Sequence, residues 1–244
     1  MKILLAPSET KIAGGEHIFN LTKLLFPELT PLRQKLLLAY TNLIQQSNPA
    51  LLSKMFGLKK SSDIAYYSKD IIHEPTIKAI ERYTGVAFDY LNYKNLKLDS
   101  RMYIDKHVVL CSNLFGFLRA DDHIPEYKLK QGESIGDLKP EKLYKEQSYL
   151  MEEYLKDEDI LDLRAIFYEK FYKPTQPYTT LKFIKEGKVV SHWAKAYRGI
   201  VLREIAKSKI NSIEAFMLLP IENLSISEIQ TKKNRTEIIY TINS

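Results

Sequence analysis

Four short stretches of this 244-residue chain bring together side chains able to hold an anion or move a proton. "APSETKIAGG" (6–15) follows the apolar run "KILLA" (2–6) and offers Ser8, Glu9 and Lys11, a hydroxyl, a carboxylate and an amine at a strand end. Open α/β sheets place ligands at such ends, and Gly14-Gly15 would either let backbones approach closely or present amides to an anion; a plain turn leading to a helix cap is the alternative. "SNLFGFLRADDHIPEYKL" (112–129) sets Arg119 and Lys128 around Asp121 and Asp122, either an internal ion-pair cluster or an anion site with its own acidic counterweight. "DLR" supplies Asp162 and Arg164, as a further part of that rim or as a strand-terminal salt bridge. In "SHWAK" (191–195) Lys195 stands in the first turn of a helix, against the macrodipole, and Gly199 inside that helix costs about 1 kcal/mol relative to Ala. Two locally unfavourable choices side by side suggest a close-packed basic site. In a cleft built from these stretches, Glu9 or Asp162 could act as general acid or base while Lys195 and Arg119 hold an anion.

A fifth stretch suits a polyanion. "LLSKMFGLKKSSDIAYY" (51–67) reads as two short helices about a turn at Gly57, where Lys59, Lys60 and backbone amides could meet phosphates as in helix-hairpin-helix proteins; a helix pair packed into the core is the alternative. Lys plus Arg exceed Asp plus Glu, 36 against 30, a net charge of +6 that favours polyanionic partners and is also common among ordinary enzymes. The histidines (17, 73, 107, 123, 192) share no ligand spacing with one another or with Cys111, so neither a metal site nor a cofactor is expected. The single cysteine rules out an intramolecular disulfide, and the G-x-x-x-x-G-K-[ST] spacing of a phosphate-binding P-loop is absent. With no run of eighteen apolar residues and only a short one at the N-terminus, a cytoplasmic protein without a membrane partner is expected.

Positioning these residues falls to a mixed arrangement of elements. "KILLA", "HVVLC" (107–111) and "DILDL" (159–163) are short apolar runs typical of buried strands, and "TLKFIKEGKVVSHW" (180–193) carries a hairpin signal at Glu186-Gly187. Apolar residues at 32, 36, 37, 40, 43 and 44 predict a helix, as do "PEKLYKEQSYLMEEYL" (140–155) and "AKAYRGIVLREIAKSK" (194–209). "EPTIKAIERYTG" (74–85) reads as a helix led by Pro75, residues 112–138 as a long loop with little regular structure, and "EAFMLLP" and "TEIIYTI" as closing strands. The expectation is an α/β (mixed α+β) fold, one central mixed sheet surrounded by helices, in a single domain over residues 1–244 with a helix-rich insertion at about 19–83.

Five ordered blocks, "MKILLAPSETKIAGG", "IERYTGVAFDYL", "LFGFLRADDHIPEYKL", "ILDLRAIFYEKFYKP" and "VVSHWAKAYRGIVLREI", resemble the YaaA family of bacterial peroxide-stress proteins, in the branch that begins P-S-E. The resemblance implies a cytoplasmic protein with a basic cleft and a helix-hairpin-helix-like segment. It implies double-stranded DNA binding and protection against peroxide with lowered free iron, and on the reading of the 51–67 stretch above, double-stranded or damaged DNA would be bound at Gly57, Lys59 and Lys60. It also implies a shared site from Ser8, Glu9, Lys11, Arg119, Asp122, Tyr127, Lys128, Asp162, Arg164, Ser191, Lys195 and Gly199. Lys128 departs from the arginine usual there, keeping the charge and losing the bidentate fork. A monomer on duplex DNA is the leading expectation, and an enzyme acting on a nucleobase, nucleotide or small anionic ligand in the same cleft is the alternative.

Overall fold

A computed structural model describes residues 1–243, with the side chains of residues 191 and 192 outside the described set. Its strands are β1 (Lys2–Leu5), β2 (Thr76–Lys78), β3 (Val108–Ser112), β4 (Gly116–Arg119), β5 (His123–Pro125), β6 (Ile160–Asp162), β7 (Tyr178–Lys185), β8 (Lys188–Val189), β9 (Leu224–Lys232) and β10 (Arg235–Ile242). The α-helices are α1 (Thr30–Gln45), α2 (Pro49–Phe56), α3 (Ser61–Tyr67), α4 (Ala79–Arg82), α5 (Val86–Leu91), α6 (Leu98–His107), α7 (Pro140–Lys145), α8 (Ser148–Tyr154), α9 (Ser191–Ser208) and α10 (Ile213–Met217).

Eight strands form one sheet in the order β4-β3-β1-β6-β7-β10-β9, with β8 folded back on β7. The inner five, β3, β1, β6, β7 and β10, run parallel, whereas β4, β8 and β9 are antiparallel to their neighbours. Every residue of β3 and β6 is buried, the signature of parallel strands covered on both faces. Leu4 pairs with Val109 on one side and Asp162 on the other, so β1, β3 and β6 end together at one rim of the sheet. Buried side chains from Met1 to Ile242 make up one core cluster.

The α/β class and the surrounding helices agree with the pattern in the sequence. The turn of the hairpin forms as expected, Glu186 and Gly187 both taking positive φ, 51° and 74°, as a two-residue primed turn requires, but its second strand is only Lys188–Val189 and α9 begins at Ser191, which moves Lys195 from the first helical turn to the second. Several local expectations are corrected. Residues 76–78 are a strand, because Thr76 exchanges backbone hydrogen bonds with His17 and β2 pairs with β5; the helix led by Pro75 shrinks to one turn, α4. The 112–138 loop contains β4 and β5. "EAFMLLP" is helical over α10, where the Ser212 side chain accepts from the Ala215 N–H at 3.1 Å and caps it. The helix expected over 140–155 divides into α7 and α8. β9 is almost wholly exposed, and its apolar residues Leu224, Ile226 and Ile229 lose their even spacing across the bulge opposite Ile239 and Tyr240, so the sequence predicts no strand there.

Candidate functional site: a basic cleft at the ends of the parallel strands

β1 ends at Leu5, and the chain then crosses the rim through residues 6–15. This crossing is fastened to the α4 segment: Thr84 N–H donates to the Thr10 carbonyl at 3.1 Å, Ile12 N–H to Arg82 at 3.0 Å, and Lys11 bridges Tyr83. Arg82, fully buried, donates from its guanidinium to the carbonyls of Ile12 (2.6 Å), Gly14 (2.8 Å), Pro75 (3.0 Å) and Ile124 (3.0 Å). A Cβ on Gly15 would lie 2.5 Å from the Thr76 carbonyl oxygen, and Gly15 has φ +138°. Gly15 therefore serves close backbone packing, the first of the alternatives read from the sequence, whereas Gly14 has open space around it and is set apart by its left-handed φ of +84°.

Two lysines converge on this crossing. Lys11 Nζ donates to the carbonyl of Ser8 at 3.2 Å and more weakly to that of Glu9 at 3.5 Å, and Lys128 Nζ donates to the same Glu9 carbonyl at 3.3 Å. The Glu9 carboxylate lies 3.7 Å from Lys128 Nζ and accepts the Gln131 N–H at 3.1 Å. The Lys11 ammonium sits over the rings of Tyr127 (4.0 Å) and Tyr83 (5.2 Å). Tyr127 is buried, its hydroxyl between those of Tyr83 (3.0 Å) and Ser112 (2.8 Å). Burial, reinforced by the Lys128 cation and opposed by Glu9 and Glu126, brings the Lys11 amine down to about 7.

The second wall is α9. Lys195 and Arg198 are three residues apart and share a helix face. They line two adjoining clefts: one of about 450 Å³ with Ser8, Glu9, Gln131 and Tyr168, and one of about 390 Å³ with Asp162, Thr180, Lys182 and Arg235. Gly199 lets α9 approach α5: a Cβ there would be 2.0 Å from the Ala87 carbonyl oxygen. Among the described residues Arg198 has no hydrogen bond or ion pair, and burial pushes its guanidinium down while the more distant Asp162 opposes. It was not singled out from the sequence, although its spacing from Lys195 was the available signal.

Asp162 and Arg164 form a closed pair. Arg164 Nε donates to Oδ1 at 2.8 Å and Nη2 to Oδ2 at 2.7 Å, with both residues buried. Arg164 Nη1 also reaches the buried Cys111 Sγ at 3.4 Å. Both Asp162 oxygens are thus engaged, and the strand-terminal salt bridge read as an alternative is the geometry found.

Arg119 and Asp122 do not join this rim. Because β4 runs antiparallel to β3, with Val109 opposite Arg119 and Ser112 opposite Gly116, Arg119 lies at the other end of the sheet. There Asp122 Oδ1 accepts from Arg119 Nε (2.9 Å) and Nη2 (2.7 Å), and Oδ2 accepts the N–H groups of Leu25 and Arg119, both at 2.9 Å. Lys59 and Lys60 lie on the exposed turn between α2 and α3. That turn is closed by Gly57 at φ 68°, with Gly57 N–H donating to Lys54 and Leu58 N–H to Ser53. Lys130 packs on Gly57 and donates its N–H to Met55 at 2.9 Å, tying the turn to the segment that carries Lys128 and Gln131. Ser191 opens α9, and its side chain lies outside the described residues. Among the described residues no three His, Cys, Asp or Glu side chains gather as a metal site, and no helix is long and apolar enough to cross a membrane.

The family model for the peroxide stress protein YaaA matches residues 1–230. The uncharacterized protein Cj0984 of Campylobacter jejuni is 44% identical over 99% of each chain. The UPF0246 protein CE1889 of Corynebacterium efficiens is 30% identical over 99% of this chain and 100% of its own, and the UPF0246 protein SCO2297 of Streptomyces coelicolor 27% identical over 84% and 82%. A match running through the β1 crossing, the β6 ion pair and α9 alike is a match to the whole cleft, and the chain belongs to the YaaA family of peroxide stress proteins.

Proposed function

We propose that this protein binds double-stranded or damaged DNA as a cytoplasmic monomer and so limits oxidative damage to it. Phosphates would be met by the rim cations Lys11, Lys128, Lys195 and Arg198 and by Lys59 and Lys60 on the α2–α3 turn, used in the manner of a helix-hairpin-helix. The observation that carries this reading is Arg198. The three buried arginines are each satisfied, Arg33 and Arg82 by backbone carbonyls and Arg164 chiefly by Asp162, whereas half-buried Arg198 faces two clefts and has no hydrogen-bond or ion-pair partner among the described residues. A desolvated guanidinium without a partner favours an incoming anion. The +6 net charge supplies long-range attraction for it.

Binding to a fluorescent duplex at several salt concentrations tests this. Log affinity should fall linearly with log salt, and Lys59→Ala/Lys60→Ala should reduce the slope by up to about 2 if each lysine neutralises one phosphate. Arg198→Gln should weaken binding about tenfold, a charged hydrogen bond's worth. A flat salt dependence overturns the reading.

The alternative of an enzyme acting on a nucleobase, nucleotide or small anion is favoured by Glu9, whose half-exposed carboxylate opens on the cleft between Lys128 and Gln131 N–H. Mass spectrometry of the recovered duplex separates the two: unchanged DNA supports the binder, and a chemical change lost in Glu9→Gln supports the enzyme.

A further inference from the structure

Lys11 differs in its surroundings from Lys128, the other lysine that converges on the 6–15 crossing. Among the described residues no carboxylate lies within ion-pairing distance of its amine, whereas Lys128 has Glu9 at 3.7 Å. It shares one acceptor, the Glu9 carbonyl, with a second ammonium group, and beneath it lies the Tyr127 ring. Its only other described acceptor is the Ser8 carbonyl, and Ser8 and Glu9 line the cleft at the strand ends where α/β sheets bind ligands.

We propose that Lys11 is a nucleophilic amine that forms an imine with an aldehyde carrying a phosphate a few bonds away, the phosphate being held by Lys128 and the α9 cations. The amine lone pair attacks the carbonyl carbon and the C=O π pair moves to oxygen. A proton passes from nitrogen to that oxygen, giving a carbinolamine; its hydroxyl takes up a second proton from solvent and departs as water as the nitrogen lone pair forms C=N, and the resulting iminium returns its N–H proton to solvent. Nothing is oxidised or reduced, and the net products are imine and water. The phosphate clause rests on the polyanion-binding reading above; the amine chemistry does not.

The physical basis is the one that activates lysines elsewhere: desolvation next to another cation leaves the amine neutral near neutral pH. The groups facing Lys11 are Glu9 on its own crossing, Arg82 and Tyr83 beside α4, and Glu126, Tyr127 and Lys128 on the segment after β5. Burial, Lys128 and Arg82 favour the neutral amine; Glu9 and Glu126 favour the cation, as does the contact with the Tyr127 face, worth about 0.5–2 kcal/mol. The first set prevails, bringing the amine to about 7 from 10.5, and a lysine left at 10.5 would be neutral at pH 7 only about once in 3,000 molecules. Two carriers of a phosphate-bearing aldehyde fit this chemistry, a deoxyribose in DNA that has lost its base and a free sugar phosphate.

The experiment traps the imine by reduction. The full chain is incubated with sodium cyanoborohydride and, in separate arms, an abasic duplex, glyceraldehyde 3-phosphate or unphosphorylated glyceraldehyde, and adducts are mapped by peptide mass spectrometry. Lys11 should carry at least about ten times the adduct of any other lysine, with a yield rising through a midpoint near pH 7. Lys11→Arg, which keeps the charge, should remove that adduct. Labelling confined to the abasic duplex identifies DNA as the carrier, and labelling confined to glyceraldehyde 3-phosphate identifies a free sugar phosphate. Preference for a phosphorylated arm over glyceraldehyde supports the phosphate clause, and no preference overturns it. Adducts spread over lysines according to exposure, or a midpoint near 10, overturn the nucleophile. Duplex binding without Lys11 labelling in any arm leaves the DNA reading standing and sinks the imine, while Lys11 labelling by a small aldehyde without duplex binding does the reverse.

Discussion

The two ends of the sheet use the same residue types to opposite effect. At the end where β4 finishes, Arg119 and Asp122 face each other and every Asp122 oxygen has its donors: two guanidinium N–H groups on one, two backbone N–H groups on the other. At the opposite rim, where β1, β3 and β6 finish, Lys11 has only carbonyls and aromatic faces among the described residues, and Arg198 has no described hydrogen-bond partner. The first arrangement spends its charges internally and holds the 23–25 segment against β4. The second leaves charges partly desolvated and uncompensated, which costs stability and preserves capacity for a ligand. Arg164 shows that the rim can also close a pair when a carboxylate is adjacent, so the open cations around it reflect placement and not residue type.

This contrast can be broken by substitution. Asp122→Ala should cost about 2–4 kcal/mol, because it leaves the Leu25 and Arg119 backbone N–H groups without their acceptor and removes the bidentate partner of the half-exposed Arg119 guanidinium, while duplex affinity changes little. Arg198→Gln should behave in the reverse sense, losing affinity with unchanged or slightly increased stability. Urea unfolding paired with the binding assay checks both, and equal losses of stability in the two variants would erase the distinction between the ends. Next in size is Gly199→Ala. The added methyl meets the Ala87 carbonyl, so overpacking of about 1–3 kcal/mol should outweigh the gain in helix propensity, and α9 should retreat from α5 and weaken binding. A stabilised variant with unaltered affinity would show that the close approach does not shape the cleft.

The smallest expected effect is that of Lys11→Met, and it depends on pH. The folded-state value of about 7 lies below the ordinary 10.5, so the unfolded chain binds the Lys11 proton more readily across that window, and this group's contribution to stability rises with pH. Replacing it should raise the melting temperature at pH 6, with the gain fading toward pH 10. A gain independent of pH would mean that the folded protein does not hold this amine against protonation.

Local rules made much of the framework legible. The buried strands at "KILLA", "HVVLC" and "DILDL", the Glu186-Gly187 hairpin and the long α9 helix follow from apolar runs, turn chemistry and helical spacing. Errors fell where tertiary partners override local preference. Pro75 suggested a helix start, yet the backbone of Thr76 is claimed by His17; "EAFMLLP" had strand composition, yet Ser212 caps a helix through it. Arg33 and Arg82 gave no sign in the sequence of being fully buried, since the carbonyls that satisfy them come from distant segments. Of the candidate site, Ser8, Glu9 and Lys128 gather at the crossing with Lys11, while Arg119 and Asp122 lie at the far end.

The sequence by itself determined the class of fold, the family and the strand ends at which charge would collect, because periodicity, turn residues and motif order are properties of neighbours along the chain. Only the tertiary structure decided which charges remain open. The antiparallel turn-back of β4 carries Arg119 away from the rim, and the glycine contact of α9 with α5 brings Arg198 to it; strand direction and helix approach are set by packing between segments far apart in sequence.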